Sequence, residues 1–192
     1  MKDKKRPSRH SPLSTADICV IALSAAFITV CAWISIPAAV PFTLQTFAVF
    51  TVAGLFGMKR SSLSMLVYIL LATIGIPVLA GMKGGFDKII GATGGYILGF
   101  LLIAVIVGFA SDRYGRKPLP LACAMLLGLL VCYAFGTAWF MAVYARNSGA
   151  VGLGTVLGWC VLPFIIPDLI KIAFALLLSD RVGKFFPKNN SV

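Results

Sequence analysis

Long apolar blocks alternate along this chain with short polar or glycine-rich breaks. A hydrocarbon layer about 30 Å thick takes roughly 20 apolar residues per helical crossing, and the blocks have that scale. They predict six spans: 16–36, 43–57, 62–79, 94–111, 119–144 and 155–178. The breaks fit this division. Span one stops at Pro37, with Ser14 or Thr15 as its cap and Asp17 in its first turn, near the positive end of the helix dipole. Pro37 and Pro41 bracket a loop at 37–42, and span two opens on polar Thr43, Gln45 and Thr46. Pro77 lies near the end of span three. A glycine-rich connection at 81–95 leads to span four, Gly136 interrupts span five, and 146–154 joins span five to span six. The expected fold class is all-α: a polytopic membrane domain of six helices over 16–182, with basic cytoplasmic tails at 1–15 and 183–192.

Composition strengthens this reading. The chain is 59% hydrophobic and 12% charged, whereas soluble domains run at about 45–50% and 25%. A net charge of +11 would suggest nucleic acid in a soluble protein. Here the basic residues cluster between apolar runs, which makes them a topology signal and argues against nucleic acid. The tail (Lys2, Lys4, Lys5, Arg6, Arg9), the pair Lys59 and Arg60, the group Arg113, Arg116 and Lys117, and the end (Arg181, Lys184, Lys188) fall on one side of a six-span bundle. That side holds thirteen basic residues against Lys83, Lys88 and Arg146 on the other, so both termini are expected in the cytoplasm. The first apolar run extends from 18 to 36, longer than the ~7–15 residues of a signal-peptide core, and is read as a retained helix.

Several chemistries lack their residues. Cys19, Cys31, Cys123, Cys132 and Cys160 lie in apolar runs without Cys-x-x-Cys spacing and read as small buried hydrophobes. His10, the one histidine, sits in the basic tail, so no histidine-based metal site or triad is available. There is no Gly-x-x-x-x-Gly-Lys-[Ser/Thr] loop and no Gly-x-Ser-x-Gly elbow. Uphill transport by such a chain would draw on an ion gradient or on a partner.

Against this background Asp168 and Lys171 stand out inside span six. A charge at a helix centre costs about 2.5–3.5 kcal/mol on the insertion scale. Their i, i+3 spacing puts both on one face. Either they form a self-satisfied pair that orients the helix, or they face a cavity and read a polar ligand. Pro163 and Pro167 favour the cavity, because each removes a backbone donor and leaves a carbonyl free. Other candidates also have two readings. Gly84, Gly85, Gly91, Gly94 and Gly95 make either a flexible connection or a backbone that approaches a ligand closely. Lys83 and Lys88 attract an anion, although Asp87 can neutralise one of them. Tyr96 is a pocket wall or an interfacial anchor. Thr43 is a helix cap or a ligand contact, while Gln45 falls beyond the cap. Tyr133, Trp139 and Tyr144 read as belt aromatics, with Trp139, near Gly136 and Thr137, the better pocket candidate. Ala22 and Ala26, with Ala25 beside them, form a small-residue strip for internal packing or for docking another subunit.

Three runs together carry a family resemblance: VPFTLQTF at 40–47, GATGGYILGF at 91–100 and LPFIIPDLIK at 162–171. They resemble the BioY proteins, the biotin-binding S components of energy-coupling factor (ECF) transporters, over about residues 15–182. The resemblance implies six helices and biotin bound near the extracellular side. It implies that Asp168 and Lys171 hydrogen-bond the ureido ring, which has two N–H donors and a carbonyl acceptor. The glycine-rich loop would close over the ligand, and Lys83, Gln45 or loop amides would hold its carboxylate. Thr43, Gly84, Gly85, Tyr96 and Trp139 complete the candidate set. Biotin is then cargo, and no cofactor is expected. The implied partners are a transmembrane coupling protein, docking at Ala22 and Ala26, and two ATPase subunits, all at the bacterial cytoplasmic membrane. Delivery would involve rotation of the whole bundle. Ala92 stands where the family commonly has proline, and Lys83 where a small or neutral residue is usual. Three alternatives share parts of the pattern: an S component for another vitamin, a membrane enzyme using Asp168 and Lys171 as an acid–base pair, and a structural membrane protein. The enzyme reading lacks a nucleophile or metal set, and the structural one leaves the buried charges unexplained.

Overall fold

The computed structural model describes residues 13–38, 40–149 and 151–185. The basic runs at 1–12 and 186–192, which make up most of the two expected tails, lie outside the described residues.

Helix α1 spans Thr15–Trp33. Ser14 caps it: its hydroxyl accepts from the Asp17 amide at 3.2 Å, and the Asp17 carboxylate accepts from the Ser14 amide at 3.0 Å. The helix ends three residues before the predicted limit. Ile36 precedes Pro37, whose ring disfavours helical backbone in the residue before it. The chain instead forms β1 (Ser35–Ile36), which pairs antiparallel with β2 (Phe42–Thr43). Phe42, the last residue of the predicted loop, is therefore part of a strand.

Predicted spans two and three form one helical run, α2 (Gln45–Thr73), folded back at Gly57. Gly57 has φ +76°, and a Cβ there would lie 2.0 Å from Asp112 Oδ1, so only glycine suits the position. The Asp112 carboxylate accepts from the Met58 amide at 2.8 Å, giving the second half a cap. The return helix thus begins at Met58 instead of 62, and α2 stops at Thr73 instead of 79, ahead of the Gly75 turn and Pro77. A straight 29-residue helix would part its ends by about 43 Å. Here both ends meet the end of α1: Leu44 N donates to Ile34 O at 3.2 Å, and Trp33 Nε1 donates to Pro77 O at 2.8 Å.

A short helix, α3 (Phe86–Ile90), lies within the stretch expected to be only a glycine-rich connection. Next come α4 (Gly94–Tyr114) and α5 (Pro118–Ser148). Helix α5 runs unbroken through Gly136, contrary to expectation. The glycine serves packing: a Cβ there would meet the Tyr96 ring at 2.3 Å. Predicted span six is two helices, α6 (Leu153–Cys160) and α7 (Leu162–Gly183), broken at Val161. Pro163 falls in the first turn of α7, where its missing N–H costs nothing.

One end of the bundle gathers the start of α1, the Gly57 fold, the 112–117 turn and the end of α7. Asp17 pairs with Arg60 at 2.6 Å. Arg116 donates to Leu55 O at 2.9 Å and also to Gly183 O. The hairpin, the 74–93 segment and α6 occupy the opposite end. Ile28, Phe50, Met65, Tyr68, Ile103 and Met125 fill the core. Large apolar side chains such as Leu70, Leu127, Leu130 and Ile166 point outward. Among the described residues, five helices are long and apolar enough to cross a membrane. An apolar exterior around a packed core suits lipid as solvent. Cys31, Cys132 and Cys160 are buried as expected, but Cys19 and Cys123 are on this outer surface.

Candidate functional site

The first half of α2 packs beside α7, and α5 closes the third side. At their meeting point Asp168 and Lys171 are 2% and 6% exposed. Lys171 Nζ lies 2.7 Å from Asp168 Oδ1. Thr46 Oγ1 donates to the same oxygen at 3.1 Å and accepts from Lys171 Nζ at 3.2 Å. Tyr133 OH donates to Asp168 Oδ2 at 2.5 Å. The ammonium also lies 4.6 Å from the centroid of the Phe42 ring, which stacks on Phe164.

These bonds leave capacity unused. A carboxylate offers about four acceptor sites and an ammonium three donors. Among the described residues, three donors reach Asp168, and Lys171 serves two acceptors. One lone pair on Asp168 Oδ2 and one Lys171 N–H thus remain unused among the described residues. The pair is neither a bare charge nor a closed ion pair. It can accept one hydrogen bond and donate another.

Two adjoining chambers open from this cluster. The inner one, about 40 Å³, is bounded by Asp168, Lys171, Thr46, Tyr133, Tyr96 and Phe164. The outer one, about 290 Å³, is bounded by Gln45, Lys83, Lys88, Thr93 and Ile97. Thr43 and Tyr96 line both. The outer wall is the more basic, although Lys88 lies 2.7 Å from Asp87. The Lys88 ammonium, hydrogen-bonded to Asp87, holds that carboxyl below its ordinary value. Gln45 is 4% exposed, and among the described residues its Nε2 has no hydrogen-bond partner. A buried donor left open on a cavity wall is suited to a ligand acceptor.

The remaining candidates have structural positions of their own. The Thr43 hydroxyl accepts from the Gln45 amide at 3.2 Å, across Leu44, which is the cap residue of α2 in place of the expected Thr43. Gly84 packs on backbone, with Ile76 O at 2.4 Å from where its Cβ would be, and the Gly85 amide donates to Ala72 O at 2.7 Å. Both anchor the glycine-rich segment to the end of α2. Trp139 lines neither chamber. Its Nε1 donates to Gly91 O at 3.0 Å and ties the same segment to α5. Tyr96 OH is 3.1 Å from Thr137 Oγ1. Ala22 and Ala26 face out of the bundle, while Ala25 is buried. Tyr144 stacks on Phe140.

Sequence reasoning missed Tyr133 by assigning it to an aromatic belt, and noted Thr46 only as a polar residue at a span start. One signal was available for Tyr133. It stands midway along α5, far from either end where belt aromatics sit. Thr46 had no such signal, because its importance depends on which helix lies opposite.

A model of the BioY family matches residues 3–188. The chain belongs to the BioY family. It is 39% identical over 161 residues to the "Biotin transporter BioY" of Thermotoga maritima, covering 83% of this chain and 90% of that protein. It is 37% identical over 171 residues to the "Probable biotin transporter BioY" of Pyrococcus horikoshii, covering 88% and 98%. A crystal structure of the S-component for biotin from an ECF-type ABC transporter superposes with a TM-score of 0.78 at 28% identity, covering 88% of this chain and 91% of that one. These BioY relatives are transporters and not enzymes, which removes the acid–base reading of Asp168 and Lys171.

Proposed function

We propose that this chain is the biotin-binding S component of an ECF transporter and carries biotin across the cytoplasmic membrane with ATPase partners. The observation that carries the reading is the open pair of valences at Asp168 and Lys171. A ureido ring presents an N–H and a C=O side by side. The free carboxylate lone pair takes the N–H, and the free ammonium proton meets the carbonyl. A neutral ring thereby completes the bonding of two buried charges without adding a third, which limits the desolvation cost. The valeryl chain then runs into the outer chamber. There Gln45 Nε2 and Lys83 receive its carboxylate, while Lys88 is partly neutralised by Asp87. Tyr96 and Thr43 bridge the two chambers. Gly84, Gly85 and Trp139 act indirectly by fixing the segment that roofs the ligand.

Six crossings follow if the halves of α2 count separately, and the charge asymmetry then favours cytoplasmic termini. Ala22 and Ala26, exposed on α1, fit close approach by a helix of a coupling protein.

Calorimetric titration of biotin into the purified, biotin-free protein tests the reading. Binding near one per chain is expected, with Asp168→Ala weakening it at least ~100-fold, since loss of a charged hydrogen-bond partner costs up to about 3 kcal/mol and Lys171 is left unpaired. Unchanged affinity in a folded Asp168→Ala protein would refute the site. A stronger thermal shift with another vitamin than with biotin would refute the ligand.

A further inference from the structure

A second cavity, of about 580 Å³, lies on the outside of the bundle and belongs to neither chamber. Phe42 and Phe47 form one side. Ile170, Phe174 and Leu177 of α7 form the other, and Arg181 closes the end. These three α7 residues are each more than half exposed, so the groove opens sideways, away from the core. Its floor and walls are almost wholly apolar up to the guanidinium.

The length and charge of the groove suit one occupant. From Arg181 to Ile170 the helix rises about 16 Å, close to the roughly 15 Å of one leaflet's hydrocarbon. Arg181 lies at the end of the bundle that gathers the Gly57 fold and the 112–117 turn. Among the described residues it has no ion pair, whereas Lys184, three residues on, is paired with Asp180 at 3.8 Å. Lys171 seals the other end. It lines the groove as well as the inner chamber, and its ammonium turns inward to Asp168. Its stem therefore presents only methylenes outward.

We infer that this groove binds one acyl chain of an anionic phospholipid of the leaflet at the Arg181 end, with the phosphate headgroup held by Arg181. An arginine at headgroup level pairs with phosphate in a bidentate fashion. An acidic headgroup adds a further attraction that a zwitterionic one lacks. The apolar trough supplies shape, and Arg181 supplies selection between headgroups.

Native mass spectrometry of the full chain in detergent, with phosphatidylglycerol or phosphatidylcholine added at equal concentration, reads this directly. The expected result is one retained phosphatidylglycerol per chain, preferred ~5-fold over phosphatidylcholine, as one basic residue near an anionic surface gives. Arg181→Gln should abolish the preference, whereas Lys184→Gln should keep it. Leu177→Trp, an outward position that fills the trough, should reduce retention of both lipids. Equal retention of the two lipids by the unmodified chain would overturn the inference, leaving a trough filled by bulk lipid or by a protein helix. So would a preference that survives Arg181→Gln, or retention that Leu177→Trp leaves unchanged.

Discussion

Tyr133 donates its hydroxyl to Asp168 Oδ2, on the side of the carboxylate that Lys171 and Thr46 leave open. That bond fixes where the last free lone pair points. Hydrogen bonds to charged groups contribute about 1.5–3 kcal/mol. Tyr133→Phe keeps the ring and removes the donor, so the thermal midpoint should fall by several degrees and biotin affinity, by calorimetry on the folded protein, by ~10-fold or more. An unchanged affinity would mean that the phenol only packs. The Asp168–Lys171 spacing and its depth in an apolar run were legible from sequence, because a charge in lipid needs a reason. Gln45 was legible as well, since it falls beyond the cap. Tyr133 was marked only by its place midway along α5, and Thr46 was not legible, because it gains its role from a partner 122 residues away.

Two elements position this cluster, and both depend on single side chains. The fold-back of α2 rests on Gly57, whose backbone (φ +76°, ψ −178°) is reached essentially by glycine alone and costs other residues about 1–3 kcal/mol. A β-carbon would also strike Asp112, the cap of the returning half. Gly57→Ala should lower the thermal midpoint in detergent by about 5 °C or more, at ~2–4 °C per kcal/mol for a chain of this size. A midpoint within a degree of the unmodified chain would show that the turn tolerates a side chain. The glycine-rich roof is tied to α5 by Trp139 and Gly91. Trp139→Phe removes one hydrogen bond of about 0.5–1.5 kcal/mol. Biotin dissociation, followed by exchange against labelled ligand, should accelerate by ~3–10-fold, with the association rate changing less. An unaltered off-rate would mean that the roof is held elsewhere. Gly57 and Val161 mark where the structure departs from the hydropathy pattern: two predicted spans form one helical run folded back at Gly57, and one predicted span is a short helix followed by a long one.

For the whole molecule, the proposed orientation rests on charge. The Gly57 fold, the 112–117 turn, the start of α1 and the end of α7 share one end of the bundle and carry most of its basic residues. With all five native cysteines replaced, Lys83→Cys should react with an impermeant maleimide on intact cells. Lys117→Cys should react only after the membrane is opened. The reverse pattern would invert the orientation and put the ligand chambers at the cytoplasmic face.

The sequence by itself determined the solvent, the class of fold and the location of the buried charge, because these depend on local composition and spacing. Apolar length specifies a membrane helix, and three short motifs point to the family. Only the tertiary structure decided which valences of Asp168 and Lys171 remain open, that Ala22 and Ala26 face outward, and that an apolar trough ends at Arg181. Each of these depends on which helix faces which. In a chain with apolar residues on every side of its helices, the pattern along one helix cannot distinguish a face that meets lipid from one that meets another helix.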